Sequence, residues 1–413
     1  MPLLRIVGRV APLNNSAKFL AFCAFTLASF VLISHAVHAQ NKQHDKLPRV
    51  RRLDSGVTWK RDASTGELVL SHSDATGKPA APDAAANPHS ISVVTQVVPV
   101  TCSVVGADGV AIAGLQQKDF QVFDNGAARP VVYFDASSQP ASVALLIDAS
   151  PSVLRESDEM KNAARALVDA LGSSDQTAVA DFSAHTFLQL PFSNDWGLIR
   201  KAVGRVDARE LLNDTGGTNI YNAVFLAVKE LFAGRRGRKA IVLITDGQDS
   251  GLGLTLDPVT SRPRPGTASD RLTFEDVVRT LSAEDIQVFA VSTESRPKIM
   301  TAEFLTAHSG ETLLDRTVTK DQIPAYTLYL AEMVRRSGGQ LYFLREAETL
   351  ADTFHQIAVK IRAEYTIGFS PDEKSSSDAA GGWHQLRLQV IGHPDATVTS
   401  RASYYVPARS VGQ

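Results

Sequence analysis

Residues 143–152 read VALLIDASPS, and this stretch decides the fold. Five apolar residues precede Asp148, and Ser150 and Ser152 follow it at alternate positions. A short apolar run bounded by small polar residues is typical of a strand that is buried on both faces. Such strands belong to parallel sheets, where ligand-binding side chains collect at the carboxyl ends of the strands. We therefore expect Asp148, Ser150 and Ser152 at that edge of an α/β sheet.

Two further stretches bring oxygen donors to the same edge. Residues 240–247 read AIVLITDG and place Asp246 directly after a second apolar strand. Residues 216–220 read GGTNI, where two glycines permit unusual backbone angles beside the hydroxyl of Thr218. Carboxylates and hydroxyls together favour Mg²⁺, Mn²⁺ or Ca²⁺ over Zn²⁺.

Strand and helix patterns alternate over residues 139–362. This alternation predicts an α/β fold, with a doubly wound, mostly parallel, Rossmann-like sheet and helices on both faces. Residues 185–190 suit an antiparallel edge strand. Strands are predicted at 142–148, 176–182, 239–245, 286–292 and 340–344, and helices at about 155–171, 219–233, 272–283, 326–337 and 347–362.

The regions that flank this α/β part have β patterns. We expect residues 91–138 and 363–407 to pair into one small β-sandwich into which the α/β domain is inserted, because a few strands alone make a poor core. Two separate small β modules are the alternative. Residues 40–90 are polar and uneven, which predicts a mostly disordered linker with one possible hairpin, formed by 57–59 and 68–70.

Residues 1–39 have the pattern of a secretory signal peptide, with basic residues before an apolar run and small residues at 37–39. We therefore expect a secreted or periplasmic protein with no membrane span after cleavage. An uncleaved anchor is the alternative, although the apolar run is short for a span. Cys102 is then the one cysteine left, so no internal disulfide is expected.

The composition excludes one class of partner. The formal net charge is -2 and charged residues make up 21% of the chain, so no general basic field favours nucleic acid. The basic cluster 235–239 is expected to be a solvated turn. Two long segments, 251–270 and 295–324, follow strands and would lie at the edge where the oxygen donors meet, where long loops often carry specificity.

The combined pattern over 139–362 resembles the von Willebrand factor type A (vWA) domain with its metal-ion-dependent adhesion site. The resemblance rests on Asp-x-Ser-x-Ser, Gly-Gly-Thr and Thr-Asp-Gly in that order. The flanks look like the VWFA-related acidobacterial domain family of exported proteins. That similarity lies in LQQKDFQVFDNG at 115–126, YTIGF at 365–369 and RASYYVP at 401–407.

The resemblance implies a metal site and a partner. In the family, the serines and the threonine bind the ion directly or through water, the aspartates often through water, and an Asp or Glu of a protein partner takes the open position. Pro151 departs from the glycine common between the two serines, and Arg155 and Glu156 stand where relatives have a second cation site, so one metal is expected. The implied ligands of Mg²⁺, or of Mn²⁺ or Ca²⁺, are Asp148, Ser150, Ser152, Thr218 and Asp246.

The expected function is therefore Mg²⁺-dependent protein–protein binding or adhesion, without catalysis. Helix capping is the simpler explanation of Asp148, Ser150 and Ser152 if they are taken alone. A metal-dependent hydrolase is the second candidate, although the chain lacks Gly-x-Ser-x-Gly, His-Glu-x-x-His and Cys-x-x-Cys. A structural envelope protein with a vestigial metal site is the third.

Overall fold

The centre of the fold is a seven-stranded sheet. Its strands, in spatial order, are β1 (Arg51–Arg52), β10 (Thr186–Ser193), β9 (Gln176–Phe182), β8 (Ser142–Asp148), β11 (Lys239–Thr245), β14 (Gln287–Ser292) and β15 (Leu341–Phe343). Strands β9, β8, β11, β14 and β15 are parallel to one another. Strand β10 runs antiparallel to β9, and β1 pairs antiparallel with β10.

The computed structural model describes most of the chain, with gaps. The described residues are 46–62, 66–72, 97–108, 110–136, 140–206, 217–252, 255–256, 263–264, 271–301, 304, 313–315, 323–344, 350–362, 364–371 and 381–406. The chain divides into two units, 1–47 and 48–413, and the described helices and strands belong to the second.

Helices cover both faces of the central sheet, because its central strands are buried on both faces. All seven residues of β8 are buried, as are all six of β14, so neither strand has a solvent-facing side. The helices are α1 (Ser157–Ala170), α2 (Trp196–Arg205), α3 (Ile220–Leu226), α4 (Phe274–Ala283), α5 (Ala325–Ser337) and α6 (Leu350–Arg362).

These elements confirm the predicted α/β fold class. The predicted strands 142–148, 176–182 and 239–245 have the observed bounds, and β10 is antiparallel to β9 as expected. Strand β10 is not the predicted edge strand, because β1 pairs with its other side. Helix α3 continues into a π-helical turn, Ala227–Leu231. The sequence did not predict α2, which begins after Asp195, whose carboxylate accepts a hydrogen bond from the backbone N–H of Leu198.

The order of the strands creates a crevice at one point of the sheet. From β8 the chain moves outward through β9 to β10, and it then returns to the other side of β8 as β11. The connections after β8 and β11 therefore leave in opposite directions, which is the topological switch point where α/β sheets bind ligands. Asp148 ends β8 and Asp246 follows β11, so both predicted carboxylates lie at this point.

The two flanking regions form one β-sandwich. One sheet has the order β18 (Thr397–Ser400), β4 (Val98–Val105), β16 (Glu364–Phe369), β7 (Val131–Asp135). The other has the order β19 (Ser403–Val406), β17 (Gly382–Val390), β5 (Phe120–Asp124), β6 (Ala127–Arg129). Each sheet combines strands from before and after the α/β part, which excludes two separate β modules. The domain limits at 138/139 and 362/363 stay predictions.

Arg401 connects the sandwich to the α/β part. Its guanidinium donates to the carbonyl of Ser282 at the end of α4 (2.6 Å) and to the carbonyl of Pro99 in β4. The carboxylate of Asp285 lies 3.6 Å from it and also accepts a hydrogen bond from the Thr101 hydroxyl (2.6 Å). Arg401 is only 3% exposed, so these contacts satisfy a charge that would be costly to bury alone.

A glycine at the end of α5 allows the backbone of the sandwich to approach the α/β part closely at Arg401. Gly338 ends α5 with φ 85°, and a Cβ at this position would lie 2.4 Å from the backbone nitrogen of Arg401. Both the left-handed angle and the close approach require glycine.

Residues 48–72 belong to the folded unit, which corrects the prediction of a linker for this part of 40–90. Strand β1 pairs with β10, and β2 (Val57–Arg61) and β3 (Leu68–His72) form the hairpin that 57–59 and 68–70 predict. The Trp59 ring packs edge-on against Phe225, with ring centroids 5.1 Å apart. Arg61 makes two 2.8 Å hydrogen bonds to the carboxylate of Asp276 in α4. Residues 63–65 and 73–96 lie outside the described residues.

Cys102 is buried and forms no disulfide among the described residues. None of the helices in the described ranges combines the length and the apolar character that a membrane crossing needs.

The contact between Arg61 and Asp276 gives a first prediction. Arg61→Gln leaves the carboxylate of Asp276, which is only 5% exposed, without its charged partner. We expect the free energy of unfolding to fall by about 1–3 kcal/mol, because buried groups that lose a charged partner keep their desolvation cost. Urea unfolding at pH 7 measures the change, and Lys60→Gln, at an exposed position of the same strand, is the matched control.

The same contact has a defined pH dependence. Burial raises the pKa of Asp276, but hydrogen bonds from Arg61 and Thr273 lower it more, so the pKa lies below its usual value of 3.8. The stabilisation is therefore fully present above about pH 4 and is lost as the pH falls through the lowered pKa. The difference between wild type and Arg61→Gln should shrink below about pH 4. A difference that stays constant down to pH 2 would show that the charge on Asp276 is not involved.

Candidate metal centre

Asp148 joins the two loops at the switch point. Its Oδ1 accepts a hydrogen bond from the backbone N–H of Ser150 (2.9 Å), and its Oδ2 accepts one from the hydroxyl of Thr245 (2.6 Å). The Thr245 oxygen in turn accepts a hydrogen bond from the backbone N–H of Gly247 (3.0 Å). Both carboxylate oxygens of Asp148 are thus used within the protein, and they fix the loop after β8 against the loop after β11.

Ser150 and Ser152 present their hydroxyls together. Their Oγ atoms are 3.0 Å apart, across a short 3-10 turn, Pro151–Val153. Ser150 precedes this turn, yet its side chain makes no capping hydrogen bond. Helix capping therefore does not account for its hydroxyl. Pro151 is the first residue of the turn, where a missing N–H has no cost, so its replacement of the family glycine is tolerated.

Asp246 provides a carboxylate oxygen without a partner. Its Oδ1 accepts a hydrogen bond from the backbone N–H of Gln248 (2.8 Å). Its Oδ2 is buried and has no hydrogen-bond partner among the described residues. Because an unpaired buried oxygen is costly, this atom fits a site that is completed by a cation. Gly247 follows with φ 85°, which lets the chain turn sharply after the carboxylate.

The two carboxylates lack a positive counter-charge. Burial raises the pKa of Asp148 to about 7, and the nearby charge of Asp246 also raises it. Hydrogen bonds from Ser150 and Thr245 lower this pKa and offset part of the shift. Burial also raises the pKa of Asp246, and Glu156 contributes, while the Ser152 hydroxyl partly offsets it. Neither carboxylate forms an ion pair with a basic side chain in the described ranges. A dication would stabilise the charged form of both carboxylates and would therefore lower both pKa values.

Thr218 lies in a loop that is fastened to the same edge. The backbone N–H of Ser250 donates to its carbonyl (2.7 Å), and the N–H of Asn219 donates to the carbonyl of Ser183, just after β9 (2.9 Å). Hydrogen bonds among the described residues join Asp148, Ser150 and Ser152. The pKa of Asp246 reflects the Ser152 hydroxyl nearby, and the pKa of Asp148 reflects the charge of Asp246. They do not include the Thr218 hydroxyl, so its role as a ligand stays a prediction.

Sequence reasoning missed two residues that position the site. The Thr245 hydroxyl connects Asp148 to the loop after β11. Its position directly before Asp246 is the sequence feature that could have identified it. Asp249 accepts hydrogen bonds from the backbone N–H of Ile220 (2.7 Å) and of Leu252 (2.8 Å). It therefore caps α3 from another loop and holds the segment that carries Thr218. Burial raises the pKa of Asp249 despite these bonds.

The beginning of α5 also borders the site. Burial raises the pKa of Tyr326, and the charges of Glu294 and Asp246 add to the rise. Tyr326 and Leu330 lie 3.4 Å from where a Cβ on Gly247 would be. Glu294 follows β14, so a third strand end contributes to this edge. In the ranges that the structure describes, no three His, Cys, Asp or Glu side chains could hold a metal by themselves, so hydroxyls would be essential ligands.

The basic cluster 235–239 is not a simple solvated turn. Arg235 donates to the Ser142 hydroxyl (3.0 Å) and to the Gln176 side chain (2.9 Å), and it stacks on the Phe192 ring at 3.8 Å. Arg238 donates to the carbonyl of Arg362 at the end of α6 (2.7 Å).

The candidate specificity segments 251–270 and 295–324 lie largely outside the described residues, and residues 1–39 lie wholly outside them.

Comparison with known proteins gives one sequence match. Residues 143–248 match the family model of the von Willebrand factor type A domain. A search of curated protein sequences finds no match to the chain.

Solved structures of several proteins are similar to this chain at low identity. An aerotolerance-related membrane protein from Bacteroides fragilis is 18% identical, over 54% of this chain and 98% of that chain, with a TM-score of 0.37. A von Willebrand factor type A protein from Catenulispora acidiphila is 14% identical, over 77% and 75%, with a TM-score of 0.36. The vWF domain of the pilus tip protein Mfa5 from Porphyromonas gingivalis is 11% identical, over 54% and 95%, with a TM-score of 0.37. At these values the similarity assigns no function.

The cap provided by Asp249 gives a second prediction. Asp249→Ala removes the acceptor for two backbone N–H groups, so we expect a loss of about 1–2 kcal/mol in the free energy of unfolding. Urea unfolding in the absence of metal measures it. Gln248→Ala, at the exposed neighbouring position, is the control and should change stability little. Equal effects of the two substitutions would contradict the capping role.

Proposed function

We propose that the α/β part of this chain, of which residues 143–248 match the family model of the von Willebrand factor type A domain, binds a protein partner through Mg²⁺. The proposed ligands are Asp148, Ser150, Ser152, Thr218 and Asp246. The observation that carries the proposal is the buried, unpartnered Oδ2 of Asp246, close to a second buried carboxylate and without a basic partner in the described ranges. A bound ion would satisfy that oxygen and offset the charge of both aspartates.

The donor set favours a hard cation. All five side chains offer oxygen, which suits Mg²⁺, and Mn²⁺ or Ca²⁺ are the other candidates. Asp148 already uses both oxygens for hydrogen bonds to Ser150 and Thr245, so it would act on the ion through water, as the family pattern implies. Ser152 is the exposed member of the set, so its hydroxyl marks the side from which a partner can approach.

Such a site supports binding rather than catalysis. Two carboxylates and neutral hydroxyls leave the bound dication able to accept one more anionic ligand. An Asp or Glu side chain of a partner protein would supply it, which makes the interaction depend on the metal. The proposed role is therefore protein–protein binding or adhesion outside the cytoplasm. Export rests on the leader pattern in residues 1–39.

Magnesium titration by calorimetry tests the site. Wild type should bind Mg²⁺, and Ser152→Ala should lower the affinity by at least about tenfold, because one ligand is lost. Ser174→Ala, an exposed serine at the opposite end of β9, is the matched control and should bind as wild type does. Asp148→Ala should abolish the heat. Equal heats in wild type and Asp148→Ala would contradict the proposed metal site. They would favour a structural protein in which the site is vestigial.

A cross-linked pull-down tests the partner. Proteins captured with Mg²⁺ present should be released by a chelator, and Ser152→Ala should capture less of them than Ser174→Ala. Capture that is indifferent to the chelator would contradict metal-dependent binding. Mg²⁺-dependent turnover in an activity screen would instead support the hydrolase.

A further inference from the structure

A cavity of about 640 Å³ lies between the sandwich and the α/β part, away from the switch point. Strands β17, β18 and β19 line one side of it, together with Phe123 of β5, and α4 and α5 line the other. Its volume is within the range of ligand-binding pockets in proteins.

The charges in this cavity are unequal. It is lined by four arginines and two glutamates. Arg335 pairs with Glu332 (2.8 Å), and Arg336 pairs with Glu275 (2.8 Å). Arg401 faces Asp285 at 3.6 Å, in the contact that joins the two parts of the fold.

The fourth arginine, Arg387, has no acidic partner. Its guanidinium lies over the Phe123 ring at 4.2 Å, and it makes no hydrogen bond or ion pair with any described residue. The stacking holds the guanidinium over the sheet and leaves its N–H donors available. One positive charge in the cavity is therefore uncompensated, which fits a ligand with one carboxylate.

The aromatic rings of the cavity are already covered. Arg336 lies 3.8 Å from the centre of the Trp383 ring, and the indole N–H donates to Glu275 (3.0 Å). Tyr405 packs edge-on against the same indole at 5.5 Å. A sugar would need an open aromatic face on which to stack, so this arrangement does not favour a saccharide. The half-buried Leu314 and Val398 instead offer apolar surface beside the free charge.

We propose that this cavity binds an acidic peptide segment. A carboxylate of the peptide pairs with Arg387, and a neighbouring apolar side chain packs against Leu314 and Val398. The Arg336 pair with Glu275 and the Trp383 ring form the wall that the peptide contacts. This binding needs no metal ion, so it is independent of the function proposed for the switch point.

Fluorescence anisotropy with a defined probe tests the proposal. The probe is a fluorescein-labelled hexapeptide of alternating Glu and Phe, acetylated and amidated, and the same peptide with Gln for Glu is the neutral comparison. The full chain should bind the acidic peptide at least about tenfold more tightly than the neutral one. Arg387→Gln should remove that preference. Arg236→Gln is the matched control, because it removes another exposed arginine at a distant turn.

Two further measurements locate the binding. Hydrogen–deuterium exchange should show protection over β17 when the peptide is present. Affinity should be the same with Mg²⁺ and with a chelator, and the same in Ser152→Ala, so failure of the metal site leaves this result unaffected.

Several outcomes would overturn the proposal. They are absence of binding, equal binding of the neutral peptide, equal losses in Arg387→Gln and Arg236→Gln, and dependence on Mg²⁺. Binding of an oligogalacturonate that requires Arg387, without binding of the peptide, would assign the cavity to an acidic saccharide instead.

Discussion

The burial of two carboxylates at one point of the sheet is the constraint on which this structure depends. Asp148 and Asp246 are each 3% exposed, burial raises the pKa of both, and no described basic side chain forms an ion pair with either. A folded protein keeps such a pair only where surrounding donors hold it and a cation can join it. The Thr245 hydroxyl, the backbone N–H of Ser150 and that of Gln248 are those donors.

The central sheet of the α/β part places Asp148 and Asp246 side by side at the carboxyl ends of their strands. Ile147 is the register partner of Ile244, so β8 and β11 end side by side and their loops begin at the same height. The sandwich attaches at the opposite edge, where Arg401 contacts Ser282 and Asp285 between α4 and β14. The contact between Arg401 and these residues therefore lies at the end of the strands opposite the switch point.

Much of this could be predicted from the sequence because the decisive signals are local. Strands buried on both faces are continuous apolar runs, and the oxygen donors follow them directly, so Asp148 and Asp246 could be placed from the sequence. Distant contacts carry no local signal. Residues 48–72 are polar, yet Trp59 packs on Phe225 and Arg61 binds Asp276, far along the chain. Asp249 likewise caps a helix that begins much earlier, at Ile220.

The interleaved sandwich also dictates an order of assembly. Val98 in β4 pairs with Phe369 in β16, and Val122 in β5 pairs with Leu388 in β17. The first four sandwich strands are therefore synthesised before the whole α/β part and must wait, with their apolar faces uncovered, until the last strands emerge. Pairings over such long sequence separations form slowly and expose the chain to aggregation. The nascent polypeptide consequently spends its most vulnerable period with this half-built layer open, and that is the stage at which chaperones would matter most.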